Sequence, residues 1–275
     1  MPTFETPDPV SVTIEIGVGH IRIAAGDRSD TVVEVRPTDR DRKADVELAE
    51  QTRVELDGDR LVVKAPRGWR YYRPWGGYES IDVEIAMPAG SHVQADAGVA
   101  ALHATGRLGD CRFKTGAGDV SVDRVDGRAE ISTGSGAVRV GAMKGGGTIR
   151  NSNGAVRVGA AGADLRLKAG NGEIAVDRAL ASVEARSANG DVRLDEVARG
   201  LVVAETGNGR VEIGVRDGVA AYLDLDTTYG TLRNDLDAAA APEPDAETVE
   251  VRARSGFGDI VIHRSFARDT LREEA

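Results

Sequence analysis

Four acidic residues stand at one place in a recurring phrase. Asp119, Glu173, Asp191 and Asp259 each follow a glycine in "GAGD", "GNGE", "ANGD" and "GFGD". Carboxylates converging on one face are what glycoside cleavage or carboxylate-held metal chemistry needs. The same place, however, holds Ala137, Ala155 and Arg210 in sister phrases, so the row is broken. Its spacing is that of the phrase itself, and solvation of a turn explains it better than catalysis. A calcium β-roll needs aspartate two places after its glycine; Val120, Val156 and Val192 occupy that place. His20, His92, His103 and His263 show no metal-ligand spacing. Cys111, the single cysteine, lies between Asp110 and Arg112 in no nucleophile motif, and no disulfide within the chain is possible. The glycine-rich phrases lack the lysine and helix of a phosphate loop. No catalytic, cofactor or metal residue is therefore assigned, and the chain reads as a non-enzyme. A carbohydrate-active β-helix is the least favoured alternative.

Binding chemistry is better represented. "GWRYYRPWGGY" at 68–78 gathers both tryptophans with Trp69, Arg70, Tyr71, Tyr72, Arg73, Trp75 and Tyr78. Trp, Tyr and Arg dominate contact hot spots. The segment suits either a partner-binding surface or an apolar cap. Basic residues also recur at fixed intervals: Arg139, Arg157 and Arg193 in one series, Arg150, Lys168 and Arg186 in another. Stacked like charges repel unless offset. They read either as a stripe for an anionic partner or as a surface neutralised by nearby acids.

The elements that place these residues follow from a repeat. Ala100, Gly118, Gly136, Gly154, Gly172, Gly190 and Gly209 anchor it at steps of 18, 18, 18, 18, 18 and 19 residues. A fixed period of this length signals a solenoid. Two and four places after the anchor stand Val120 and Val122, Val138 and Val140, Val156 and Val158, Ile174 and Val176. Eleven and thirteen places after it stand Ala129 and Ile131, Leu165 and Leu167, and, in the longer coil, Leu201 and Val203. Apolar and polar residues alternate in both stretches, the pattern of a half-buried strand. Each coil therefore carries two short strands and two turns. The Asn-Gly pairs are corners rather than hairpin tips. Asn153, Asn171, Asn189 and Asn208 should stack there as an amide ladder. Asn and Gly suit such corners because both tolerate the left-handed backbone that a tight corner needs.

The formal net charge of −10 argues against nucleic-acid binding. Aromatic residues make up only 4% of the chain, so Val, Ile, Leu and Ala must fill a thin core. No apolar run reaches membrane-spanning length, and "MPTFETPDPV" lacks the features of a signal peptide. The expected location is cytoplasmic, with peripheral attachment at a membrane open. Residues 1–9 are expected to be disordered and 10–266 to form the solenoid. Within it, 10–95 should be an irregular capping half, 96–235 regular coils, 236–248 a loop insertion and 249–266 closing strands; 267–275 is a tail. "DRKADVELAEQ" fits a short helix or a loop.

The phrases "IDVEIAMPAGSHV", "TGAGDVSV", "YGTLRND" and "VEVRARSGFGDIVIHR" together resemble a bacterial family of unknown function, described as "putative adhesin" and toastrack-type β-helix. The resemblance spans about residues 8 to 265. It implies a single-stranded right-handed β-solenoid and an association with cell-envelope or stress systems, and supplies no catalytic residues. The function expected is a scaffold or binding module for a protein or envelope-associated partner; the alternative is a scaffold polymerising end to end.

Overall fold

The structure is a computed structural model that describes residues 1–66, 79–237 and 247–265. Its 23 strands join into one hydrogen-bonded sheet wound as a β-solenoid. The N-terminal end is built from β1 (Thr3–Glu5), β2 (Ser11–Gly26), β3 (Asp30–Pro37), α1 (Lys43–Gln51), β4 (Arg53–Asp57), β5 (Arg60–Lys64), β6 (Ser80–Pro88) and β7 (His92–Leu108). β2 alternates in two stretches, burying Val12, Ile14 and Ile16 in the first and Ile21 and Ile23 in the second, with a change of phase between Ile16 and Gly19. It bends at Gly19, whose φ of +148° suits glycine and where a Cβ would lie 1.7 Å from the Ile81 carbonyl oxygen. Its first half pairs in parallel with β5 and its second with β6, while β7 runs along its whole other side. β2 is thus sandwiched one level inside the stack.

Antiparallel strands close this end. β4 turns back on β5 through Gly58, at φ +61°, and β3 lies antiparallel to β6. α1 packs beside β3 and β6 and buries Leu48. The carboxylate of Asp45, itself buried, accepts from the backbone N–H groups of Ser80 (3.2 Å) and Asp39 (3.3 Å). The segment that fits helix or loop by sequence is therefore helical over nine residues. Residues 1–9 are not a free arm: Thr3–Glu5 pair antiparallel with Asp30–Val32, and the Thr6 and Thr31 hydroxyls bond at 2.7 Å. The expectation of a disordered start missed this alternation because three residues are too few to show one.

The regular coils are β8 (Cys111–Ala117) with β9 (Val120–Val125), β10 (Ala129–Ser135) with β11 (Val138–Met143), β12 (Gly147–Asn153) with β13 (Val156–Ala161), β14 (Leu165–Asn171) with β15 (Ile174–Ala179), β16 (Val183–Asn189) with β17 (Val192–Val197), and β18 (Gly200–Asn208) with β19 (Val211–Val215). Even-numbered strands stack in parallel as one wall and odd-numbered strands as the other. Phe113, Ile131, Ile149, Leu167 and Ala185 form the core row of one wall, and Val122, Val140, Val158, Val176 and Leu194 that of the other. The 19-residue coil differs from the simple count. Its extra residue falls at the corner ahead of β18, where Gly200 takes φ +84°. Val202 and Ala204, rather than Leu201 and Val203, therefore point inward and are fully buried.

The far end holds β20 (Ala220–Tyr229), β21 (Leu232–Asn234), β22 (Thr248–Phe257) and β23 (Ile260–Arg264). β22 lies between β18 and β20, and β23 between β19 and β21. The expected closing strands are thus the penultimate level, and β20–β21 is the outermost. Sequence order fails here because every coil offers its neighbours the same inward row, so period alone does not rank them in space.

Candidate functional site

The corners draw on four sets of residues, not all present at every level. The anchoring glycines supply backbone that few other residues adopt. Gly172, for example, has φ +152°, and a Cβ on it would stand 2.2 Å from the Gly154 carbonyl oxygen one coil away. Gly118, Gly136, Gly154, Gly172, Gly190 and Gly209 all lie at φ between +127° and +153°, the positive-φ backbone expected of glycine at these corners. Beside them the asparagine amides run from coil to coil. Asn171 donates to Asn153 (2.8 Å), Asn189 to Asn171 (2.9 Å) and Asn208 to Asn189 (3.0 Å).

One further corner set is absent from the sequence reading, and the acidic row has bonding partners that the reading does not supply. Buried Thr133, Asn151, Ser187, Thr206 and Ser255 form an inward polar column three residues before the anchors. Their side chains donate to corner carbonyls: Asn151 to Gly136 and Gly154 (2.8 Å each), Ser187 to Gly172 (3.0 Å) and Thr206 to Gly190 (2.8 Å). The recurrence of Thr, Ser or Asn at that offset is the signal that could have found them. The acidic row has a related task. Asp119 accepts from the Ala137 backbone N–H (2.7 Å), Asp191 from that of Arg210 (2.8 Å) and Asp259 from that of Thr231 (2.8 Å). Each carboxylate caps the next coil. That use accounts for these three acids without any catalytic pairing.

The two basic series lie on different walls. On the even wall Arg150, Lys168 and Arg186 are direct cross-strand neighbours. Ser132 separates them from Lys114, a further cation of the same column that the sequence reading passed over. Its offset after Phe113 equals that of Arg150 after Ile149. Arg186 is bracketed by Glu184 (3.0 Å) and Glu205 (3.4 Å). Arg150 and Lys168 are exposed, and among the described residues neither has a carboxylate within ion-pair distance. The adjoining column is matched instead: Arg166 donates to Glu184 at 2.6 Å and Arg112 lies 3.8 Å from Glu130. The Arg166 guanidinium holds the Glu184 carboxyl below the usual carboxylate range, with Arg186 and Lys168 adding to the effect. On the odd wall Arg139 and Arg157 are direct neighbours. Ala175 separates them from Arg193, which pairs with Asp195.

The aromatic series Trp69, Arg70, Tyr71, Tyr72, Arg73, Trp75 and Tyr78 lies outside the described residues; so does the tail 267–275. Cys111 is buried, and desolvation pushes its thiol up to about 12, far from a reactive thiolate. Among the described residues no group of His, Cys, Asp and Glu is arranged to hold a metal, and no helix is long and apolar enough to cross a membrane.

Several solved structures are similar to this chain at low identity. A "putative adhesin" from Bacteroides fragilis NCTC 9343 is 11% identical, with a TM-score of 0.44 over 95% of each chain. A second "putative adhesin", from Parabacteroides distasonis ATCC 8503, is 13% identical, with a TM-score of 0.40 over 94% of this chain and 95% of that one. A "putative lipid binding protein" from the same organism is 10% identical, with a TM-score of 0.37 over 96% of this chain and 95% of that one. No curated protein matches. The solenoid, its two-stranded coils and its glycine corners agree with a sequence match across residues 11–274, and the chain belongs to the family described as Toastrack DUF4097.

Proposed function

We propose that the protein is a non-catalytic binding module whose even wall contacts an anionic partner. The observation that carries this reading is the run Arg150–Lys168–Arg186. Three cations stand at adjacent cross-strand positions, two of them without a carboxylate within ion-pair distance among the described residues, beside a column of the same wall that pairs its charges. Strand neighbours lie about 4.8 Å apart, so the run is a linear array of donors. Its mutual repulsion is an unspent interaction that an anionic polymer or headgroup surface would relieve. With a net charge of −10 the molecule as a whole repels such a partner, so recognition acts at contact range, within roughly 10 Å in physiological salt. A place at the cell envelope, in peripheral contact with a membrane or in a stress response, belongs to the same proposal.

The test is cosedimentation of the full chain with vesicles containing phosphatidylglycerol, alongside retention by soluble polyglutamate. Lys168→Glu should abolish whichever interaction is present, and Arg166→Gln, beside the run but paired, should leave it largely intact. Equal binding by Lys168→Glu and the parent chain would overturn the proposal.

A further inference from the structure

The two ends of the solenoid differ in a way that points to a second site. The N-terminal end is closed by antiparallel strands and by α1 with its buried Leu48. The other end carries no comparable cover among the described residues. β20 is ten residues long and pairs on one side only, with β22. Its inward row, Leu223 and Leu225, is half-exposed, whereas their neighbours Val251 and Ala253 one level in are fully buried. Tyr222, Tyr229, Leu232 and Phe257 add large exposed apolar surface at the same end. Tyr229 stacks on Phe257 with ring centres 4.8 Å apart and planes 9° from parallel, continuing the asparagine column, and Tyr229 is 64% exposed.

We infer that the free edge of β20 takes up an extended segment of a partner protein as an added strand, one that alternates apolar with basic residues. The apolar half follows from the half-covered leucines. The basic half follows from the outward column, where charge alternates as Glu205, Arg254 and Asp226. Arg254 is committed to Asp224 at 2.6 Å. Asp226 has no cation within ion-pair distance among the described residues and is exposed. The next level in the column therefore favours a cation. Main-chain bonds give such strand addition its affinity, and alternate side chains its specificity. A second copy fits less well. Joined edge to edge about a twofold axis, the Asp224 and Asp226 pairs of both copies would meet, and like charges across strands are unfavourable. Joined head to tail, β20 would meet an end whose outer strands, β1 and β4, span only three and five residues.

The probe is a fluorescein-labelled peptide copying residues 248–257 with Glu250→Lys, since this segment already pairs with β20 on its other side. A photoreactive benzoylphenylalanine replaces its last residue, Phe257. The full chain should bind it saturably, and the crosslink should fall on β20. Asp226→Lys should weaken binding by at least about tenfold, and a peptide with Arg252 and Arg254 replaced by Glu should recover binding to that variant. Absence of binding, indifference to Asp226→Lys, or crosslinks on another surface would overturn the inference. So would a twofold dimer in sedimentation velocity that is lost in Asp226→Lys. Binding that appears only after removal of 238–246 or 266–275 would mean that the chain covers its own edge, and would overturn it as well.

Discussion

Replacing Gly172 by alanine asks the corner for two things it lacks: a tolerated backbone at φ +152° and room beside the Gly154 carbonyl oxygen. Strained backbone alone costs roughly 1–3 kcal/mol, and opening the stack adds to it. Urea unfolding of Gly172→Ala should therefore show a loss of about 3 kcal/mol. Thr206→Val keeps the shape but removes the donor to the Gly190 carbonyl; the expected loss is about 1–2 kcal/mol. Cys111 gives a pH signature. Its folded thiol titrates at about 12 against 9.0 in the open chain, so its contribution is intact below pH 9 and is lost as pH rises toward 12. Cys111→Ala should flatten part of that alkaline fall, read as the urea midpoint against pH. At this scale the sequence was informative about glycines and asparagines, whose backbone and amide roles are local. It placed Asp119 and Asp191 at turns but not their partners, which are N–H groups 18 and 19 residues away.

The even wall sets stability against binding. Lys168 is flanked by Arg150 and Arg186, so Lys168→Glu turns two like-charge contacts into two attractive ones. It should raise stability by roughly 0.5–1 kcal/mol while removing the proposed anionic contact. Thermal melts at low and high salt check this, because the gain should shrink as salt screens it. Element by element, the period and the inward valines of β9 to β17 were readable because burial fixes alternation. The register of β18 was not. A single added residue at an exposed corner leaves alternation intact on either side, so Leu201 and Val203 looked as suitable as Val202 and Ala204. The basic columns were visible as intervals, but whether each cation had an acid beside it depended on cross-strand register.

In the whole molecule, both ends depart from chain order: β2 lies inside β5 and β6, and β22–β23 lie inside β20–β21. A chain ending at 247 would lack β22 and β23, leaving β20–β21 with no partner level. Limited proteolysis of such a truncation should release 216–247 quickly while the coils from β8 to β17 persist. Equal resistance of 216–247 in both chains would contradict the stacking order.

That interleaving also has a consequence for biosynthesis. An ordinary solenoid can wind up level by level as it leaves the ribosome. Here the outermost level emerges before the level it must rest on. The nascent chain must hold β20–β21 aside until residues 248–264 clear the exit tunnel, and only a chain that includes β22 and β23 can fasten that end. Translation that stops before residue 248 thus leaves β18 and β19 without the level that covers them, a different edge from the one that β20 presents in the full chain.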